Sequence, residues 1–276
     1  MKKMKLWSLV LLAAMMLSVV AACGGGDDGG GNNFVTSPGS PITVNGKRLV
    51  KITESIPNLG ITSEIPIAYN SAGQIEFFDL SAYTYEENKI KVKSTGPSYG
   101  FYTLINGRAT EYINDLKDPN IQNYENDGGG KYTYEYDNSG QMIGMMHHIV
   151  WIFNENGTNR KYDGYTDYRF QWEDGNITKI TGTDNARHTY NMSYTYTNIE
   201  NNIPPFYTRP PKLIDLMHWM GYKGKRIKNL PAKEIDYSSS SPFTTTWDYV
   251  VNNGLVTKVT KKEGANTTTV YELEWQ

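Results

Sequence analysis

Tyr168-Arg169-Phe170-Gln171-Trp172-Glu173-Asp174-Gly175-Asn176-Ile177-Thr178-Lys179-Ile180 is the stretch on which the fold turns. Aromatic and polar residues alternate as far as Glu173, Asp174-Gly175 breaks the run, and β-branched residues resume at Ile177. Asp-Gly takes the two positive φ angles of a tight hairpin turn at little cost, so the stretch predicts two antiparallel strands joined by two residues.

The same plan recurs outward from this copy. Tyr132-Thr133-Tyr134-Glu135-Tyr136 runs into Asp137-Asn138-Ser139-Gly140, and Trp247-Asp248-Tyr249-Val250-Val251 runs into Asn252-Asn253-Gly254, with weaker copies at 67–77 and 83–92. Asn106-Gly107 and Asn156-Gly157 supply two more turns, and 190–197 and 267–275 read as further strands. Hairpins in succession build a meander of roughly a dozen strands, because neighbours in sequence become neighbours in space. A sheet that long must curl, split or close to hide its edges. The predicted fold is therefore all-β, an antiparallel meander of hairpins closed or strongly curved into a barrel-like sheet. The 21 tyrosines against 8 phenylalanines fit strands with one wet face, since the ring packs while the hydroxyl finds a polar partner.

One segment breaks the rhythm. Pro210-Pro211 precede Leu213, Leu216, Met217 and Met220 at helical spacing, and Gly221 follows. This predicts one short helix over 212–220, apolar around most of its circumference and hence buried in the hollow or at an end of the sheet.

The first residues carry a different signal. Lys2, Lys3 and Lys5 precede an apolar run that ends at Val20-Ala21-Ala22-Cys23. That order is a secretory signal, and small residues directly before a cysteine mark residues 1–22 as a lipoprotein signal peptide with Cys23 as the lipid-modified residue. Cys23 is the only cysteine, so an internal disulfide is ruled out. Residues 23–41, rich in Gly, Asp, Ser and Pro, read as the lipidated cysteine and a flexible tether, and 42–276 as a single antiparallel β domain. The expected location is the outer membrane, lipid-anchored and facing the cell surface, with the periplasmic face as the alternative. Loss of residues 1–22 removes three lysines from a chain of formal charge −2, which gives no electrostatic reason to expect nucleic acid.

Gly221-Tyr222-Lys223-Gly224-Lys225-Arg226-Ile227-Lys228-Asn229-Leu230-Pro231, taken with the lipobox, the Gly/Asp tether and the hairpin repeat, resembles a family of Bacteroidetes lipoproteins. That family shares a domain of unknown function described as having a porin-like fold. The resemblance implies an antiparallel, barrel-like fold and supplies no catalytic residues.

Few constellations carry chemistry. Gly96-Pro97-Ser98-Tyr99-Gly100 matches a nucleophile elbow by letter, but that motif needs a strand–turn–helix corner and Phe101 onward reads as strand. His147 and His148 point to opposite faces of a strand, which is poor geometry for one metal. The basic run Lys223, Lys225, Arg226, Lys228 reads as a solvated loop. No catalytic residue, metal site or cofactor is expected. Tyr162, Asp163, Tyr165, Asp167 and Tyr168 gather three rings and two acids around Gly164, the residue types a sugar-binding site uses for stacking and for accepting hydroxyl protons. A wide hairpin whose tyrosines pack on neighbouring strands is the competing reading. The function ranked first is a surface binding protein for glycan or another nutrient; a structural or protein-interaction lipoprotein follows, and a hydrolase is third. Expected partners are the membrane, through the lipid, and a glycan or an outer-membrane protein.

Overall fold

In the computed structural model the hairpin repeat closes on itself. The structure describes residues 38–39, 42–94, 98–117, 129–155, 158–205, 215–264 and 267–276, with 98, 115–117, 129, 150–155 and 158–162 described by backbone alone. Sixteen strands follow one another: β1 (Leu49–Ile56), β2 (Ile61–Tyr69), β3 (Ile75–Phe78), β4 (Ser81–Glu86), β5 (Lys89–Ser94), β6 (Ser98–Ile105), β7 (Arg108–Lys117) and β8 (Gly129–Tyr136). The second half comprises β9 (Met142–Glu155), β10 (Thr158–Glu173), β11 (Asn176–Asp184), β12 (Thr189–Glu200), β13 (Asn229–Asp236), β14 (Phe243–Asn252), β15 (Leu255–Glu263) and β16 (Thr267–Trp275). Each strand pairs antiparallel with its sequence neighbours, and β1 pairs with β16 to close the barrel. Short strands such as β3, whose alternation is too brief to stand out in sequence, account for the excess over a dozen.

The turns form as their residues dictate. Asn106-Gly107, Asp174-Gly175 and Asn253-Gly254 all hold two successive positive φ angles, the geometry that matches the twist of the flanking strands. Asn156-Gly157 lies outside the described residues.

Behind these turns runs a device that explains the tyrosines. The Tyr69 hydroxyl donates to the Leu49 carbonyl at 2.8 Å, Tyr85 to Ile75 at 2.6 Å, Tyr136 to Ala109 at 2.6 Å and Tyr196 to Ile177 at 2.6 Å. Tyr249 donates to Pro231 at 2.8 Å, while Trp172 and Trp275 use their indole N–H on Met142 and Val256, both at 2.8 Å. Every acceptor sits at the start of an odd-numbered strand, beside a register shift. A bulge takes a carbonyl out of the ladder, and a buried carbonyl needs a partner. One aromatic per hairpin supplies it, each reaching back to the preceding odd strand, so the bonds run around one rim of the barrel. Only β6 departs from the pattern: it carries Leu104 at this height, whose N–H bonds the Asn88 carbonyl.

Alternation then separates two faces. Inward positions hold Ile52, Ile90, Ile180, Met192, Trp247 and Val259, all buried. Outward positions hold Lys89, Lys91 and Lys93 on β5 and Lys258, Thr260 and Lys262 on β15. Cross-strand ion pairs cover this outer surface: Lys51 with Glu274 at 3.1 Å, Lys262 with Asp248 at 2.9 Å, and Lys91 with Glu86 and Lys131 with Glu111.

The long connection between β12 and β13 turns back over the rim that carries the aromatic bonds. Its helix α1 (Leu216–Trp219) is a single turn, shorter than the predicted 212–220. Asp215 caps its start by accepting from the His218 N–H at 3.1 Å, and the chain leaves helical geometry by Gly221, at φ 82°. Residues 206–214 lie outside the described residues. As the apolar circumference requires, Leu216, Met217, Trp219 and Met220 are all buried.

Pro38 and Gly39, assigned in sequence to the tether, pack on this plug. The Gly39 N–H donates to the Met220 carbonyl at 3.0 Å. Gly39 has φ 76°, and a Cβ there would meet the Tyr222 hydroxyl at 2.0 Å, so the position admits no side chain.

Candidate functional site

Two groups of residues stand out, one inside the barrel and one outside. The inner group is built on the plug. Lys223 is wholly buried, and its ammonium bonds Asp215 at 2.7 Å. The same carboxylate accepts from the Tyr102 hydroxyl at 3.2 Å. The Tyr134 ring centroid lies 4.5 Å from the ammonium, a cation–π distance. Burial first, and the Asp215 carboxylate second, push the Tyr102 and Tyr134 hydroxyls well above the usual phenol range. They are neutral donors at any physiological pH.

His218 lies beside this pair, with Nε2 donating to the Lys225 carbonyl at 2.8 Å and its ring edge-on to Trp172. Further into the barrel Tyr102, Tyr112, Tyr132 and His147 form a continuous row across β6 to β9. Tyr102 stacks on Tyr112 at 4.2 Å and Tyr132 on His147 at 4.0 Å. The basic run does not behave as a solvated loop: Lys225 and Lys228 are exposed, whereas Lys223 is sealed inside and Arg226 is largely covered. Ser98 opens β6, with strand on its C-terminal side, so the elbow geometry is absent there.

The outer group lies on β9 and β10. Asp163, Tyr165, Asp167 and Arg169 follow one another at two-residue intervals and face outward, and Tyr165 is 51% exposed. His148 sits opposite Tyr165 in the register and bonds Asp163 at 2.6 Å. Arg169 bonds Asp167 at 3.2 Å and Glu135 on β8 at 2.5 Å. Both carboxylates beside the tyrosine are thus held in place, Asp163 by the His148 ring and Asp167 by the Arg169 guanidinium.

The five residues expected to form one sugar site do not share a face. Tyr168 points inward, 6% exposed, and packs near Tyr190 at 5.4 Å. Asp163, Tyr165 and Asp167 remain together outside, and the Tyr162 side chain lies outside the described residues. The reason is that 162–168 is the middle of a sixteen-residue strand and not a loop. Gly164 is part of its regular pairing. The inner row had no signature in sequence because it depends on the register of four strands, β6 to β9, and the Lys223–Asp215 pair had none because it spans the end of a helical turn at no regular spacing.

A closed antiparallel sixteen-strand barrel with a plugged end is the class this architecture defines. Among solved structures the chain is similar to a porin-like protein from Bacteroides vulgatus ATCC 8482, with a TM-score of 0.60 and 10% identity over 83% of this chain and 98% of that one. It is also similar to a porin-like protein from Bacteroides uniformis ATCC 8492, with a TM-score of 0.57 and 18% identity over 82% and 97%. At these identities the likeness establishes the fold. No family model and no curated protein sequence matches the chain.

Proposed function

We propose that the chain is a lipoprotein, held at the outer membrane through Cys23, whose barrel stands in water and binds saccharide on the outer face around Tyr165. The observation that carries the binding reading is an exposed ring in mid-strand, flanked on its own face by two oriented carboxylates. Such a ring stacks on the C–H face of a sugar while Asp163 and Asp167 accept its hydroxyl protons. The lipobox, the Gly/Asp tether and the resemblance to Bacteroidetes lipoproteins support the anchor, and the porin-like barrels of two Bacteroides species agree with that setting.

The outer face argues that lipid meets the anchor and not the barrel wall. A barrel that spans a bilayer presents an apolar band about 25 Å tall, and one Lys or Arg at the midplane costs about 2–4 kcal/mol. Here β5 turns lysines outward along its whole length, at 89, 91 and 93, where a spanning strand would carry apolar side chains.

The test is a glycan array probed with the full-length protein in mild detergent. For any glycan bound, Tyr165→Ala should weaken binding about 2- to 10-fold, the loss of roughly 0.5–1.5 kcal/mol of stacking. Tyr168→Ala, facing inward, should leave the affinity unchanged. Wild-type affinity in Tyr165→Ala would remove the site, and silence across the array would remove the saccharide reading.

A further inference from the structure

The barrel wall has a step in it. β2 pairs with β1 from Ile61 to Pro66, but with β3 only at Ile67, Ala68 and Tyr69. β3 is four residues long and turns back at Asp79-Leu80, while β5 ends at Ser94, opposite Ser81. Among the described residues no strand lies against 61–65 on the β3 side. Their exposure agrees, with Ile61 52% exposed and Leu59, in the 3₁₀ turn just before it, 63%.

The polar groups of this edge can be assigned from Pro66. Proline is tolerated in a strand where its nitrogen faces away from the neighbour. Pro66 therefore turns its nitrogen from β1 to the open side, and two-residue alternation turns the backbone of Glu64 and Thr62 the same way. Among the described residues, an edge about 17 Å long, at 3.4 Å per residue, is left with backbone donors and acceptors that no neighbouring strand takes.

Three further features gather at the foot of the step. Asp79 and Leu80 hold φ 45° and 61°, left-handed values that side-chain-bearing residues disfavour and that an Asn-Gly turn would adopt freely. Leu80 is nonetheless 61% exposed, an apolar side chain displayed by a strained turn. The charge is acidic on both sides: Glu64 faces out, where it and Glu274 share the one Lys51 ammonium at 3.4 and 3.1 Å, while Glu54 lies on the inner side, in reach of Asp79. Partial desolvation at the turn, and then the Glu54 carboxylate, raise the Asp79 carboxyl above its ordinary range.

We infer that the open edge of β2 takes up an extended segment of a partner protein, alternating basic and apolar residues, as a strand in the place of the missing upper half of β3. Backbone pairing to Thr62 and Glu64 supplies the register, Leu59, Ile61 and Leu80 meet the apolar side chains, and Glu64, on the outer face, meets the basic ones. A second copy of the chain fits less well, because edge-to-edge pairing sets the acids of both copies against each other. This surface lies on different strands from the Tyr165 face and does not depend on the saccharide reading.

The probe is the peptide acetyl-Lys-Val-Lys-Val-Lys-amide, with acetyl-Glu-Val-Glu-Val-Glu-amide as its counterpart, and the readout is amide hydrogen exchange of the full-length protein in mild detergent. The lysine peptide should slow exchange at Thr62 and Glu64 at least tenfold at saturation, and the glutamate peptide should not. Thr62→Pro should abolish the protection of Glu64. Glu64→Lys, which leaves the backbone untouched, should weaken peptide binding several-fold at low salt. The inference is overturned by equal protection from both peptides, by protection confined to other strands or by none at all. It is also overturned if the same amides become protected with rising protein concentration alone, which would assign the edge to a second copy.

Discussion

Asp215→Ala is expected to destabilise the barrel by about 3–5 kcal/mol, the cost of leaving a buried charge without its partner. The Lys223 ammonium would lose its carboxylate at 2.7 Å in a site that admits no water to its side chain. Two smaller losses coincide, since the same carboxylate accepts from Tyr102 and caps the His218 N–H. Replacing the whole pair, with Asp215→Asn and Lys223→Met together, should cost less than Asp215→Ala alone, because no charge is then left buried. Equilibrium urea unfolding of the three proteins measures both. A double variant less stable than Asp215→Ala would show that the pair acts through something other than charge compensation.

Stability should also fall between pH 6.5 and about pH 4 because of His218. Burial draws its imidazole down to about 4, against the smaller opposing pulls of the Lys225 carbonyl and Asp215. The unfolded chain takes up this proton near pH 6.5 and the folded chain only near 4, so in that window the unfolded state binds more protons. The contribution is therefore complete above pH 6.5, is lost as pH falls and levels off below about 4. From pH 7 to 4.5 the loss attributable to this group is about 2–3 kcal/mol. Carboxylates titrate over part of the same range, so the measurement is the difference between wild type and His218→Gln. Parallel pH profiles for the two would mean that His218 is not held neutral by the fold.

How far the residues announced this architecture depends on how local each feature is. The Tyr168–Ile180 copy contains its own turn, its own alternation and its own rim aromatic, Trp172. A meander of such units could be read without long-range information, and its closure followed from the need to hide two edges. Tyr165 and Tyr168 show the limit. Three residues apart, they fall on opposite faces of a strand, although their grouping around Gly164 suggested one shared site. The strand assignment, once made, would have separated them. Lys223 illustrates a second limit. In sequence it is one of four cations beside glycines; the turn after α1 brings it to Asp215, and only the return of the plug over the rim puts the pair against Tyr102 and Tyr134. The step at β2 is invisible for a third reason: it consists of what β3 lacks, and the shortness of one strand has meaning only beside the length of its neighbour.

The proposed barrel hides its apolar side chains inside and turns its charges to water. Residues 24–276, without leader or anchor cysteine, should therefore sediment as a single monodisperse species of β-rich spectrum in detergent-free buffer at moderate salt, and should not float with lipid vesicles. Aggregation relieved only by detergent, or co-flotation of this unlipidated protein with vesicles, would contradict the account at its centre.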